Sequence, residues 1–161
     1  MQIADEILIR EKMLSLFQQL EGNEHGSWGK MNAWQAVEHL ADIFDASSNK
    51  SQYEILTPEE HLPKYVDFIR SEKEFRENTK APEVFMGAEP APVRSGSYAA
   101  AIQRLQTSVT DFFTLFKNDP SASTVHPVFG KLVYADWLRL HGKHVRHHLR
   151  QFSLLEVEIQ K

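Results

Sequence analysis

The chain contains no cysteine. That excludes disulfides, cysteine nucleophiles and thiolate metal sites, and leaves imidazole, carboxylate, hydroxyl and bound cofactors to carry any chemistry. It also lacks a positive surplus. Its 18 Lys+Arg against 22 Asp+Glu give a formal net charge of -4, whereas a general nucleic-acid surface needs a strong basic excess. No run approaches the roughly 18 apolar residues of a membrane span. The polar start Met1-Gln2-Ile3-Ala4-Asp5-Glu6 has neither the basic nor the apolar region of a secretory leader. What remains is ordinary: 161 residues, 42% hydrophobic and 25% charged, the profile of a folded domain. The length suits one domain over residues 1–161. A cytoplasmic protein is expected, with no nucleic-acid or membrane partner.

Four long helices are legible. Ile9, Met13, Leu16 and Leu20 recur at steps of four, three and four, one side of a helix covering about residues 3–21 and ended by Gly22-Asn23. The second, from Met31 to about Ser48, opens with Asn32 and Gln35 in capping-box spacing and places Trp34, Val37, Ala41 and Phe44 on one face. The third is the most regular: Tyr98, Ile102, Leu105, Val109, Phe112 and Phe116 alternate steps of four and three. Ser97 caps its start and Asn118-Asp119-Pro120 stops it. The fourth runs from about Val133 to Phe152, and no alternating strand pattern stands out. Nearly fifty residues with five prolines separate helices two and three. Thr57-Pro58-Glu59-Glu60 predicts a short helix within residues 58–78, with 85–92 as a connector. The fold expected is therefore all-α: a four-helix bundle with a long crossover between helices 2 and 3.

Eight histidines are present, and His141, His144, His147 and His148 crowd into the last helix. With His141 at zero and about 100° per residue, Leu138, Val145, Leu149 and Phe152 mark a core side between about +20° and +80°. His144 and His148 border that stripe, and His147 falls away from it. Arg139, Lys143, Arg146 and Arg150 group on the far side and read as a solvated basic strip. His144-x-x-x-His148 puts two imidazoles one turn apart, able to share one ion. A site needs a further ligand, and the second helix offers His39, although its wheel position lies off the stripe of Trp34, Val37 and Phe44. On spacing alone such a pair is more often surface or hydrogen-bonded core histidine than a ligand pair. Tyr134 and Trp137 read as core or cleft lining, and His126-Pro127-Val128-Phe129-Gly130 as a turn leading into the last helix. His25 and His61 read as exposed loop residues.

The stretch His144-Val145-Arg146-His147-His148-Leu149-Arg150-Gln151 resembles the late-helix His-x-x-His-His-x-x-Gln pattern of the DinB/YfiT-like superfamily, in particular a branch known as a domain of unknown function. Trp34-Gln35-Ala36-Val37-Glu38-His39-Leu40 and His126-Pro127-Val128-Phe129-Gly130 support the match, which covers most of the chain. Many members have Arg-Gly before the terminal Gln, where this chain has the bulkier Leu149-Arg150. The resemblance implies a four-helix bundle with a long crossover and a divalent metal held by His39, His144 and His148. It also implies metal-dependent transfer or isomerisation with low-molecular-weight thiols, with hydrolases among some relatives.

Three neutral imidazoles leave an ion with at least one position for water or substrate. Nickel or zinc is expected first, and iron or manganese suits the same donors. The leading expectation is a small-thiol S-transferase with a thiol cosubstrate and a small-molecule substrate. Tyr134, Trp137 and Gln151 would line the pocket, and His141, almost one turn before His144, would act as proton carrier. The rival expectation is a noncatalytic metal-binding bundle acting in self-association, such as a homodimer, or in partner binding.

Overall fold

The computed structural model describes residues 4–77, 79 and 89–156. The chain is mostly helical, with one small sheet. Helix α1 comprises a first turn Asp5–Ile7, a π-helical segment Leu8–Lys12 and a closing stretch Met13–Phe17. Then follow α2 (Ala33–Ser47), a 3-10 turn (Glu59–His61) running into α3 (Leu62–Arg70), and α4 (Tyr98–Asn118). Strands β1 (Ser123–His126) and β2 (Gly130–Val133) lead directly into α5 (Tyr134–Gln151). None of the described helices is long and apolar enough to cross a membrane.

The caps follow the sequence. Asn32 Oδ1 accepts from Gln35 N at 2.8 Å and Gln35 Oε1 accepts from Asn32 N at 3.0 Å, a complete capping box. Ser97 Oγ accepts from Ala100 N at 3.0 Å. On α4 the stripe Ile102, Leu105, Val109, Phe112 and Phe116 is buried against α2, as its spacing predicts. In α1 the expected stripe shifts: Leu8, Ile9, Met13 and Phe17 are buried, whereas Leu16 and Leu20 are only half-buried. An α-helix drifts about 40° over every four residues. The fuller π turn takes up much of that drift, so steps of four stay on one side.

The all-α expectation is corrected by the sheet. β1 and β2 pair antiparallel, from Ser123 with Val133 to His126 with Gly130, and four-residue strands are too short to show a period in sequence. The motif 126–130 forms their turn. Gly130 takes φ +87°, which favours glycine, and buried His126 accepts through Nδ1 from Val128 N at 3.0 Å and Phe129 N at 3.3 Å. Thr57 does not cap a helix; its Oγ1 donates to Val128 O at 2.7 Å and ties the crossover to this turn. Of the expected connector 85–92, residues 85–88 lie outside the described ones.

Both ends of the crossover are fastened by charge. At its close, buried Glu38 on α2 accepts from Arg94 N at 2.9 Å, Ser95 N at 2.8 Å and Trp34 Nε1 at 3.1 Å. Burial alone would raise the Glu38 carboxyl, but the backbone donors of Ser95 and Arg94 hold it below its usual value. Asp42 then pairs with both Arg94 and Arg104, at 2.8 and 2.7 Å.

At the opening of the crossover lies a second correction. The strip Arg139, Lys143, Arg146 and Arg150 is solvated at Arg139 but not along its middle. Lys143 and Arg146 are buried. Arg139 donates to Arg70 O at 3.1 Å, and Lys143 Nζ donates to Ser71 O at 2.8 Å and to Lys73 O. Arg146 pairs with Glu74 at 2.8 Å and Asp5 at 2.5 Å. Gly142 fits this junction because a Cβ there would collide with the Asp5 carboxylate.

Two outcomes test these anchors. Replacing Glu38 with Ala strands two backbone N–H groups and the Trp34 indole, and urea unfolding should show a loss of about 2–3 kcal/mol. Burial pushes His126 down from 6.5 to about 3. The unfolded chain therefore binds the extra proton first on acidification, and stability present above pH 6.5 is lost as pH falls towards 3. Between pH 7 and pH 5 this histidine accounts for a decline of about 2 kcal/mol. His126→Asn, which keeps an acceptor for the turn, should flatten the slope of unfolding free energy against pH by that amount.

Candidate metal centre

His39 projects from the middle of α2, and His144 and His148 stand one turn apart near the end of α5. Their rings meet. His39 Nε2 lies 3.0 Å from His144 Nε2, and His148 Nε2 lies 3.1 Å from the same atom. One ligand atom from each of the three falls within 4.8 Å of the others. Ring centroids are 4.8 Å apart for both 39–144 and 144–148, with interplanar angles of 86° and 63°.

A ring nitrogen offers one N–H or one lone pair, so His144 Nε2 can hydrogen-bond with only one of its two neighbours. Hydrogen bonding therefore does not account for the cluster. The His39–His144 and His144–His148 spacings fit donors to a shared ion, since two nitrogens about 2.0–2.1 Å from one ion stand about 3.0–3.4 Å apart at common coordination angles, and the three rings could hold a metal. Charge state agrees. Burial pushes His39 down to about 4, and burial followed by the neighbouring histidines pushes His144 and His148 well below 6.5. All three are neutral at pH 7, as ligation requires.

Gln151 fixes one tautomer. Its Nε2 donates to Trp28 O at 2.9 Å, which turns Oε1 towards His148 Nδ1 at 2.8 Å. An amide oxygen can only accept, so His148 carries its proton on Nδ1 and presents a bare Nε2 to the cluster. The loop 26–29 closes over Gln151. Ser27 N donates to Gln151 O at 2.7 Å, and a Cβ at Gly26 or Gly29 would collide with the Gln151 side chain.

Of the other expected site residues, Gln151 touches the cluster, while His141, Trp137 and Tyr134 lie elsewhere. Gln151 orients a histidine from beneath and is itself buried. His141 is deep in the core, stacked on Phe44 at 3.8 Å and on Trp137 at 5.2 Å. Ser47 Oγ donates to Phe44 O at 2.6 Å and so accepts from His141 Nε2 at 2.9 Å. Trp137, fully buried, packs between His126 and His141. Tyr134 stacks on Phe116 and lines a separate cleft of about 540 Å³ with Arg10 and Lys117. His25 and His61 are exposed.

Three neighbours of the cluster escaped the sequence reading. His147 is buried, its ring 5.1 Å from His148, 5.7 Å from Trp28 and 5.8 Å from Phe75. Phe75 also reaches His144, at 6.3 Å. Trp28 and Phe75 sit in irregular segments without periodicity. The paired glycines around Trp28 were the one available signal.

Residues 66–154, more than half of the chain, match the family model described as "Protein of unknown function (DUF1569)", and the chain belongs to that family. The matched span contains His144, His148, Gln151 and Phe75 and leaves His39 outside. No curated protein and no solved structure matches the chain.

Removing the orienting amide tests the tautomer assignment. Gln151→Ala should lower affinity for a divalent ion by about 10–100-fold while leaving the saturating stoichiometry unchanged, as read by competition with a chromogenic chelator.

Proposed function

We propose that this protein is a metal-dependent enzyme holding a divalent ion on His39, His144 and His148, and that it transfers a low-molecular-weight thiol onto a small electrophilic substrate. One observation carries the reading: three neutral imidazoles from two helices meet nitrogen to nitrogen in an arrangement that hydrogen bonding cannot satisfy. An ion bound there would lower the pKa of a coordinated thiol or water. The chain itself does the rest. Gln151 holds His148 in the ligating tautomer, and burial keeps the rings unprotonated. His39 and His144, half-buried where His148 is covered, leave one side of the cluster open to a ligand. Nickel or zinc is the ion proposed first, with iron or manganese compatible with the same donors.

The proposal carries an architecture with it. α1, α2, α4 and α5 form a four-helix bundle of DinB/YfiT-like plan within one domain, with residues between α2 and α4 as the crossover. The enzyme works in the cytoplasm on a small molecule, as a homodimer, without nucleic acid or membrane. His141 serves the core here, since its ring is sealed between Phe44 and Trp137 and held by Ser47.

Metal analysis of the purified chain should give about one ion per molecule, falling well below that in His39→Ala and in His148→Ala while far-UV circular dichroism is preserved. Equal metal in wild type and variants would refute the site. The metal-loaded protein should then turn over within a panel of thiols and electrophiles. A loaded protein that turns over none of them, nor any ester or amide substrate, supports the noncatalytic reading.

A further inference from the structure

The cations of α5 stand at 139, 143, 146 and 150, steps of four, three and four along one face. Their partners run in the same order along the crossover: Arg70 O, then Ser71 O and Lys73 O, then Glu74. Arg150 closes the series at 3.8 Å from Glu74. A helix rises about 1.5 Å per residue and an extended strand about 3.3 Å, so eleven residues of α5 run alongside about five of the crossover. The result is a strap laid parallel to α5 and ending level with the histidine cluster. The next residue is Phe75.

Phe75 is half-buried. Its ring packs on Phe68 at 5.1 Å and lies 6.3 Å from His144 and 5.8 Å from His147. Trp28 approaches His147 from another direction, at 5.7 Å. Trp28, His147 and Phe75 together form an aromatic wall beside two of the three ligating rings. Aromatic faces favour flat apolar partners over small polar ones.

Building on the metal reading above, we infer that Phe75 is a specificity-determining residue, set in place by Lys143 and Arg146, and that the centre selects substrates carrying a flat apolar group next to their metal-binding atom. Lys143 and Arg146 are positioning residues, acting through the strap.

The test uses the full chain loaded with cobalt(II), titrated with imidazole and with 4-phenylimidazole and followed by the cobalt d–d absorption. Wild type should bind the phenyl-bearing probe about tenfold more tightly than the bare ring. Phe75→Ala should bring the two affinities together at unchanged cobalt stoichiometry, and Phe75→Tyr should keep the preference. Should the alanine variant fail to fold, Phe75→Leu preserves apolar bulk without the flat face and should show the same narrowing. Lys143→Met should narrow the preference as well and speed amide exchange across residues 71–75, a readout independent of metal. Cobalt-loaded wild type without the preference, or a preference unchanged on removing the Phe75 ring, overturns the wall and leaves the three-histidine site standing. Wild type that takes up no cobalt overturns the site itself and this inference with it.

Discussion

Imidazole nitrogens from two helices can touch only if those helices pass at close range in one fixed register, and most of the polar structure of this protein enforces that condition. His39 meets His144 across 105 positions of sequence. The contact itself is unfavourable for bare neutral rings, because one nitrogen faces two others. It persists because each helix is held independently. α2 is buried along most of its length and is fastened by Glu38 and Asp42 to the close of the crossover. α5 is fastened by four cations to the opening of the same crossover. One connecting segment thus references both histidine-bearing helices.

Charge is distributed accordingly. Around the three rings the protein places aromatic groups, an amide and a fourth neutral histidine. The formal charges stand back in paired sets: Arg146 between Asp5 and Glu74, and Arg104 between Asp42 and Asp45. Buried charges of this kind demand close partners. The partners are present here, so burial acts on the imidazoles chiefly by suppressing protonation. The same burial makes the fold sensitive to acid, since His126 lies outside the cluster yet shares the depressed proton affinity.

The regular parts of this arrangement were legible in sequence and the irregular parts were not. Periodicity located α2, α4 and α5, and the capping box at Asn32 and the serine at 97 fixed two starts. Spacing identified His144 and His148 as a pair able to share an ion. It offered His39 as a further ligand but could not place it on the core stripe of its own helix, and the family resemblance supplied that support. The basic strip misled because a helical wheel sees only its own helix; the crossover that covers Lys143 and Arg146 has no period to announce it. Trp28 and Phe75 were hidden for the same reason. His141 sat at a promising spacing from His144, but three-dimensional packing against Phe44 and Trp137 placed its ring in the core.

The π-helical segment of α1 shows how closely the N-terminal turn depends on residue count. Asp5 must face α5 to reach Arg146, while Met13 and Phe17 must face the hydrophobic interior, and a uniform α-helix would spread Asp5 and Phe17 by about 120°. The wide turn at Leu8–Lys12 acts as a phase adapter between an ionic face and an apolar one. Regularising the segment to α-helix at unchanged residue count would swing Asp5 away, leaving a covered guanidinium with a single carboxylate, whereas deleting one residue would leave Asp5 and Phe17 only about 20° apart. The wide turn therefore lets the segment carry one residue more than a uniform helix of the same phase, and losing that turn at full length would be felt on α5 two residues from His144 and His148.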